Sequence, residues 1–366
     1  MDYRQLFGMM IQEKASDLFI KVGVPPAFRM AGKLRSLGGP PVTPEIADNL
    51  FKEVASERIQ ALFEENGEAD TAYEIYGVGR FRCNIFRQRG YIGFVFRHVN
   101  STIPPLESLN LPAATLKKTS VLQRGMVLVT GVTGSGKSTT LASMLNYVNA
   151  QLPKHIVTVE DPIEYLFADQ KSLVDQRELG IDTMTFEKAL KGVVRQSPDI
   201  IMIGELRDKE TMEAALHAAE TGHLVFSTLH TRNASQTVER IMNFFPPHQY
   251  EFLRTQLSLL LEGVISQRLI PCKDGKTRVP AVEIMLRTPT IQEMLHEGKF
   301  REIYKSIKEG AYFGTQTFNQ SLKDLFQKDL ITLEEAIGAS DNPEELKLEM
   351  RGIQKGARAG DFDFKI

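Results

Sequence analysis

Arg124–Leu141 reads RGMVLVTGVTGSGKSTTL, and the fold follows from it. Met126 to Thr130 is an apolar run of strand length, followed by a Gly-rich turn and a helix start. Gly131 to Ser138 completes a G-x-x-x-x-G-K-[ST] phosphate loop. Gly131, Gly134 and Gly136 lack a Cβ, so the backbone can take positive φ and bend around an anion. Successive N–H groups then face phosphate oxygens, and the helix behind them adds the positive end of its dipole. Lys137 can reach the β- and γ-phosphates, and the Ser138 hydroxyl can ligate Mg²⁺. An eight-residue match arises by chance. The apolar strand before this one and the helical pattern after it set it apart. The candidate phosphate-binding residues are Gly131, Thr133, Gly134, Ser135, Gly136, Lys137, Ser138 and Thr139, with ATP and Mg²⁺ as the implied ligands.

The chain has 366 residues, 42% of them hydrophobic and 25% charged, which suits one to three domains with a proper core. A net charge of −2 gives no global basic footprint for nucleic acid. No run approaches the ~18 apolar residues of a membrane span. The first residues, MDYRQLFGMMIQEKASD, have no basic run before their apolar patch and no cleavage pattern, so they do not read as a signal peptide. Cys83 and Cys272 lie far apart, which excludes a Cys₄ zinc site and fits a reducing compartment. The expected location is cytoplasmic, with membrane contact through a partner.

Outward from the loop, the pattern on the N-terminal side is α+β. A helix is expected over 3–14 and strands over 17–21 and 27–37. A helix follows from Thr43-Pro44-Glu45 to Gly67 with Ile46, Leu50, Val54, Leu62 and Phe63 on one face. Strands then cover 71–76, 79–88 and 91–99. In the second of these Phe81, Cys83 and Ile85 alternate with Arg80, Arg82 and Asn84, as in a half-buried strand. Arg80, Arg82, Arg87, Arg89 and Arg97 form a basic cluster. It is either a solvated sheet face or a surface for an acidic partner, such as the phosphates of a neighbouring subunit's nucleotide. Residues 100–112, NSTIPPLESLNLP, read as a linker. From Ala113 strands and helices alternate, the signature of a parallel sheet covered on both faces. Strands are expected at 126–130, 155–159, 200–204, 223–229, 264–270 and 279–287. Helices are expected at 138–151, 185–196, 207–221, 235–244, 248–262, 290–297, 299–308, 317–328 and 333–338. The tail, 341–366, is a charged extension expected to be disordered from Gly356.

Phosphoryl transfer needs a phosphate cradle, Mg²⁺, a residue that orients water, and positive charge at the γ-phosphate. Candidates lie at strand ends, where an open α/β sheet builds its site. Ile156–Glu164, IVTVEDPIE, is a strand that ends in Glu160, Asp161 and Glu164 around Pro162. Asp199–Asp208, DIIMIGELRD, places Glu205 where a Mg²⁺-linked or water-polarising acid belongs. Thr221–Thr231, TGHLVFSTLHT, carries His230 at its far end, within reach of a γ-phosphate or the strand-end acids, and His223 at its start.

Taken together and in this order, the phosphate loop, VEDPIEY, IMIGELRD and HLVFSTLHT resemble the boxes of the secretion ATPase superfamily. Within it the chain is similar to the PilT/PilU-type retraction ATPases of type IV pili, from SDLFIKVGVPP through GRFRCNIF to the C-terminal helices. The resemblance implies a cytoplasmic hexameric motor whose subunits each have an N-terminal PAS-like domain and a RecA-like ATPase domain, with ATP between subunits. It implies that Lys137 and Ser138 bind phosphate and Mg²⁺ and that Glu205 is the catalytic, metal-linked acid. It also implies that Glu160 belongs to the acidic box, His230 to the histidine box, and Arg195 of VVRQSPD to an arginine kept near the site. The GRFR arginines can then reach a neighbour's nucleotide. The implied partners are a homo-hexamer, a paralogous retraction ATPase and the inner-membrane platform protein at the pilus base.

Two departures refine this. The assembly ATPases of the superfamily carry an extra N-terminal domain and often a Cys₄ site. This chain begins at the PAS-like domain with two cysteines, which points away from assembly. The principal retraction ATPases carry an AIRNLIRE segment. Here Thr290–Glu297 reads TIQEMLHE, keeping the apolar spacing and losing both arginines. With the charged extension, this leans to the accessory, PilU-like paralogue. The alternative is a non-autonomous subunit or regulator that docks on a principal motor.

Overall fold

The computed structural model describes residues 3–354, which divide into two units. The first takes its residues from Met1–Thr102, Pro162–Leu166 and Glu178–Met184; the rest belong to the second.

The first unit contains α1 (Tyr3–Gln12), β1 (Asp17–Lys21), β2 (Ala27–Met30), β3 (Lys33–Ser36), α2 (Pro44–Val54), α3 (Glu57–Asn66), β4 (Glu68–Ile75), β5 (Gly79–Gln88) and β6 (Tyr91–His98). The strands form one antiparallel sheet in the order β3-β2-β1-β6-β5-β4. Alternation on β5 works as its sequence demands: Phe81, Cys83 and Ile85 are buried and Arg82 is exposed. Phe7 of α1 seals the core, its ring 4.8 Å from that of Phe96 and edge-on to it.

Two elements expected whole are split. The strand expected over 27–37 is a hairpin, because Ala31 and Gly32 both take positive φ, 46° and 80°, the twist that a two-residue hairpin turn needs. The helix expected up to Gly67 breaks at Ala55 and Ser56, both extended, and restarts as α3. Thr43 caps α2 by accepting the N–H of Ile46. The break shifts the phase of the helical face. Ile59 and Phe63 of α3 are buried, whereas Leu62, expected on the apolar face, is 37% exposed.

The second unit comprises α4 (Ala113–Ser120), β7 (Gly125–Thr130), α5 (Lys137–Gln151), β8 (His155–Glu160), β9 (Leu173–Glu178), α6 (Phe186–Val193), β10 (Ile200–Ile203), α7 (Lys209–Glu220), β11 (Leu224–Leu229), α8 (Ala234–Met242), α9 (Tyr250–Leu260), β12 (Leu261–Pro271) and β13 (Arg278–Leu286). It then continues through α10 (Pro289–Glu297), α11 (Ile303–Glu309), α12 (Phe318–Gln327), α13 (Leu333–Ala339) and α14 (Pro343–Gln354). Its sheet runs β13-β12-β7-β11-β10-β8-β9. β12, β7, β11, β10 and β8 are mutually parallel, and β13 returns antiparallel along β12. Every residue of β7, β10 and β11 is buried, as expected of strands covered on both faces.

β9, LVDQRE, was not expected. It is an edge strand of mostly polar residues and so lacks the apolar signal by which strands are read. In the Pro-rich segment, Leu106 and Leu111 are buried in the second unit's core. The start of the charged tail folds as α14, which buries Leu346 and Met350 in a cluster with Phe318, Leu322, Ile270 and Val279. Disorder expected from Gly356 concerns residues outside those described.

Candidate nucleotide site

β7 delivers the chain to Gly131, and α5 begins at Lys137 directly after Gly136. Gly131 has φ 147° and Gly136 has φ 91°. A Cβ on Gly131 would lie 2.4 Å from the Gln267 carbonyl oxygen, and one on Gly136 would lie 2.7 Å from Gln267 Nε2. The loop therefore admits only glycine at both places. Lys137 is 9% exposed; its Nζ donates to the carbonyl oxygens of Gly131 (2.9 Å) and Val132 (3.2 Å), lying back along the loop. Ser135 Oγ is buried without a hydrogen-bond partner among the described residues. Thr133 and Gly134 are exposed at the crest, and Ser138 and Thr139 sit half-buried on the first turn of α5. A glycine cradle, a helix N-terminus, a lysine along the rim and an unmatched buried hydroxyl fit a polyphosphate. Mg²⁺ usually takes one or two protein oxygens and completes its shell with phosphates and water. Ser138 and Glu205 suit that arrangement, and among the described residues no group of three or more His, Cys, Asp or Glu side chains could hold a metal ion.

The parallel order β7-β11-β10-β8 places four strand tips side by side. Thr130 pairs with Leu229, Ile203 with Ser227, and Val159 with Ile203, so the phosphate loop, His230, Glu205 and Glu160 leave neighbouring strands at one edge. His230 Nε2 lies 3.3 Å from Glu205 Oε1. Arg207 Nε donates to Glu205 Oε2 at 2.9 Å, and its Nη1 donates to Asp161 at 3.0 Å. Glu160 is 6% exposed; its Oε1 accepts from Thr158 Oγ1 (2.8 Å) and Gln176 Nε2 (3.1 Å). Thr228 Oγ1 donates to the Gly204 carbonyl at 2.7 Å, fixing the β10 tip against β11.

Arg195 is not gathered into this group within its own chain. It is exposed in the turn that enters β10 from its N-terminal end, where Asp199 accepts the N–H of His155 at the start of β8. Glu164 is exposed and belongs to the first unit, whereas Glu160 and Asp161 belong to the second. His223 contacts the Ala218 carbonyl and Thr221 at the start of β11, a local role. Sequence reasoning gave no role to Arg207, Gln176 or Gln267, and named Asp161 only as one of three strand-end acids. Arg207 stood two residues from Glu205 in the same box; Gln176 and Gln267 carried no local signal at all.

The N-terminal arginines sort themselves. Within the first unit Arg80 holds Glu178 (2.8 Å) and Glu74 (3.3 Å), Arg87 holds Glu64 (2.7 Å), and Arg97 holds Asp17 (2.9 Å). Arg82 and Arg89 are exposed and make no ion pair among the described residues.

A phosphate loop on a RecA-like sheet, next to an acid-bearing strand tip, defines a P-loop ATPase. The profile of the family described as Type II/IV secretion system protein matches residues 96–313, and the chain belongs to that family. It is 41% identical to the type IV pilus ATPase PilU of Pseudomonas aeruginosa, covering 96% of this chain and 92% of that protein. It is 43% identical to the type IV pilus retraction ATPase PilT of the same organism, covering 94% and 99%. The crystal structure of the pilus retraction motor PilT with bound ADP superposes with a TM-score of 0.86 at 44% identity, covering 95% of this chain and 99% of that one. No helix among the described residues is long and apolar enough to cross a membrane.

Proposed function

We propose that this chain is the ATP-hydrolysing subunit of a hexameric motor for type IV pilus retraction, acting as the accessory retraction ATPase. The observation that carries the chemistry is the contact of His230 with Glu205 on the strand tips beside the phosphate loop. In this reading the loop amides and Lys137 hold the β- and γ-phosphates. Ser138 and Glu205 would hold Mg²⁺, which would supply charge neutralisation at the phosphates. Glu205 orients the attacking water. His230 and Arg207 hold its two carboxylate oxygens, so they fix its rotamer and tie its position to β11 and to Asp161. Glu160, buried and hydrogen-bonded, keeps the adjoining tip in place. Arg195 stays outside the reacting set because it sits at the far end of β10.

Hexamerisation is supported by the similarity to PilT and by the need for a second subunit to close the site, since a head-to-tail interface that closes makes a ring. In such a ring Arg82 is the GRFR arginine available for a neighbour's γ-phosphate, because Arg80 is already held by two carboxylates. The motor would sit on the cytoplasmic side of the pilus base, against the inner-membrane platform protein and a paralogous retraction ATPase. Identities of 41% to PilU and 43% to PilT do not separate the accessory from the principal role. The TIQEMLHE segment favours the accessory one: Ile291 and Leu295 are buried, and the exposed side of α10 carries no arginine. The second reading, a subunit that works only when docked on a principal motor, rests on the same segment.

The test is paired. Lys137→Ala is expected to abolish nucleotide binding. Glu205→Ala is expected to keep binding and lose roughly 100-fold or more in turnover, the scale set by removing one transition-state group. Calorimetric binding and phosphate release measure the two, and undiminished turnover in the Glu205 variant removes its assignment. A deletion strain complemented with each variant separates the roles. Hyperpiliation without movement indicates a principal motor, and a mild loss of retraction force an accessory one.

A further inference from the structure

We propose that Gln267 is a positioning residue for the phosphate loop: its side-chain amide fixes the direction of the Ser135–Gly136 peptide and so aims a loop N–H at the bound phosphates. The proposal rests on the nucleotide-site reading above and adds a residue that none of the loop or strand-tip motifs contains.

Gln267 follows Ser266 on β12, and Ser266 pairs with Thr130 at the end of β7. The side chain is buried, with the residue 3% exposed. Nε2 donates to the Ser135 carbonyl oxygen at 2.7 Å, and Oε1 accepts from Thr140 Oγ1 at 2.8 Å. Both ends of the amide are used: the Ser135 carbonyl, which can only accept, makes the orientation one-way, and the hydroxyl of Thr140, itself buried on α5, holds the other end. A flipped amide would set Oε1 against the Ser135 carbonyl, two acceptors face to face, whereas the Thr140 hydroxyl could turn to accept from Nε2. Thr140 is tied in turn to the loop, since its N–H donates to the Gly136 carbonyl at 3.0 Å. The three groups form a closed brace between β12, the loop and α5.

The consequence follows from peptide geometry. In a trans peptide the C=O and N–H point in opposite directions. With the Ser135 carbonyl pinned toward β12, the Gly136 N–H is turned to the opposite side. Without the brace, that peptide can rotate about the freely turning φ of glycine and present a carbonyl dipole to the phosphates instead. Gln267 crowds both loop glycines: its backbone oxygen lies against Gly131, alongside Ser135 Oγ, and its Nε2 against Gly136. An apolar residue of the same length would fill the space and orient nothing.

The test uses the full chain with Mg²⁺ and the fluorescent nucleotide mant-ADP, alongside thermal unfolding of the nucleotide-free protein. Gln267→Met keeps length and loses both hydrogen bonds. Its affinity for mant-ADP is expected to fall about tenfold or more, the equivalent of one or two ordinary hydrogen bonds. Gln267→Glu is expected to bind more weakly still, because it sets a negative charge against the Ser135 carbonyl. Thr140→Val, which takes the partner from Oε1 and leaves the bond to Ser135, is expected to weaken binding less. In the double variant with Gln267→Met, the loss is expected to match that of Gln267→Met alone, since the residues act as one unit. Wild-type affinity in both single variants overturns the proposal, as does simple addition of their losses. If Gln267→Met fails to fold, Thr140→Val paired with Gln267→Asn decides by the same criterion. A wild-type protein that binds no mant-ADP refutes the nucleotide site itself and this proposal with it.

Discussion

In the first unit the six strands alternate in direction, so neighbouring strands end on opposite sides of their sheet. In the second unit β7, β11, β10 and β8 run the same way and place four C-terminal ends at one edge. The difference decides where polar chemistry can collect. Charged groups of the antiparallel sheet find partners locally: Asp17 takes Arg29 and Arg97, and Glu64 takes Arg87. At the parallel edge, groups from separate loops meet because each strand delivers its own loop there. Glu205, His230, Arg207 and Asp161 arrive on three strands and form one connected chain. A parallel sheet gives loops distant in sequence a common address, and an antiparallel one divides them.

The contrast can be broken by asking which changes act on stability and which on turnover. The largest stability effect is expected at Phe96→Ala in the closed aromatic core. The side chain is fully buried against Phe7, and its loss should cost about 3–5 kcal/mol by denaturant unfolding. Glu205→Ala at the open edge should leave unfolding nearly unchanged while turnover collapses. Comparable destabilisation by both would erase the distinction.

Glu283 of β13 is the sharpest intermediate case. It is 4% exposed, and burial raises its carboxyl from the ordinary 4.5 to about 7. Asp341 adds to the rise, while the Ala234 N–H at the start of α8 and Arg268 oppose it. The native state therefore holds a proton that the unfolded chain has released between pH 4.5 and about 7. Stability from this group is full below the lower value and lost as pH rises through the upper one. Glu283→Gln should flatten that fall, a difference on the order of 3 kcal/mol between acid and pH 8. Melting curves at several pH values measure it, and an unchanged slope in the variant refutes it.

The smallest stability effects are expected at Arg82→Ala and Arg87→Ala, each within about 0.5–1 kcal/mol for exposed charges. Their turnover should differ. Arg82 makes no ion pair among the described residues and, in the proposed ring, faces a neighbour's nucleotide; Arg87 is occupied by Glu64 and lies over the Phe63 ring. Steady-state hydrolysis should fall for Arg82→Ala and hold for Arg87→Ala. Equal rates in the two would return the cluster to a solvated sheet face.

Much of this was legible along the chain, because the informative patterns are local. The phosphate loop, the strand runs before each acid box and the resemblance to the secretion ATPases all lie in stretches of about ten residues. β9 was missed because its polar edge residues carry no apolar period. The break at Ala55 was missed because the apolar spacing of α2 and α3 resembles one helix, and the change of phase shows only in which of Leu62 and Ile59 is buried. The helix over Pro343–Gln354 was hidden by its charge, since Leu346 and Met350 are enough to dock it but too few to announce it.

The sequence by itself determined that a phosphate loop follows a buried strand, that acids and a histidine end the next strands, and that the chain is kin to the pilus ATPases. Only the tertiary structure decided which of those groups touch. It joined His230 to Glu205, held Arg80 on its acids while leaving Arg82 open, kept Arg195 at the far end, and set Gln267 against Ser135, 132 residues away in the chain. The physical reason is range. Backbone conformation and apolar periodicity are written within a few neighbouring residues, whereas a hydrogen bond across strands depends on register and order, which the whole sheet sets at once.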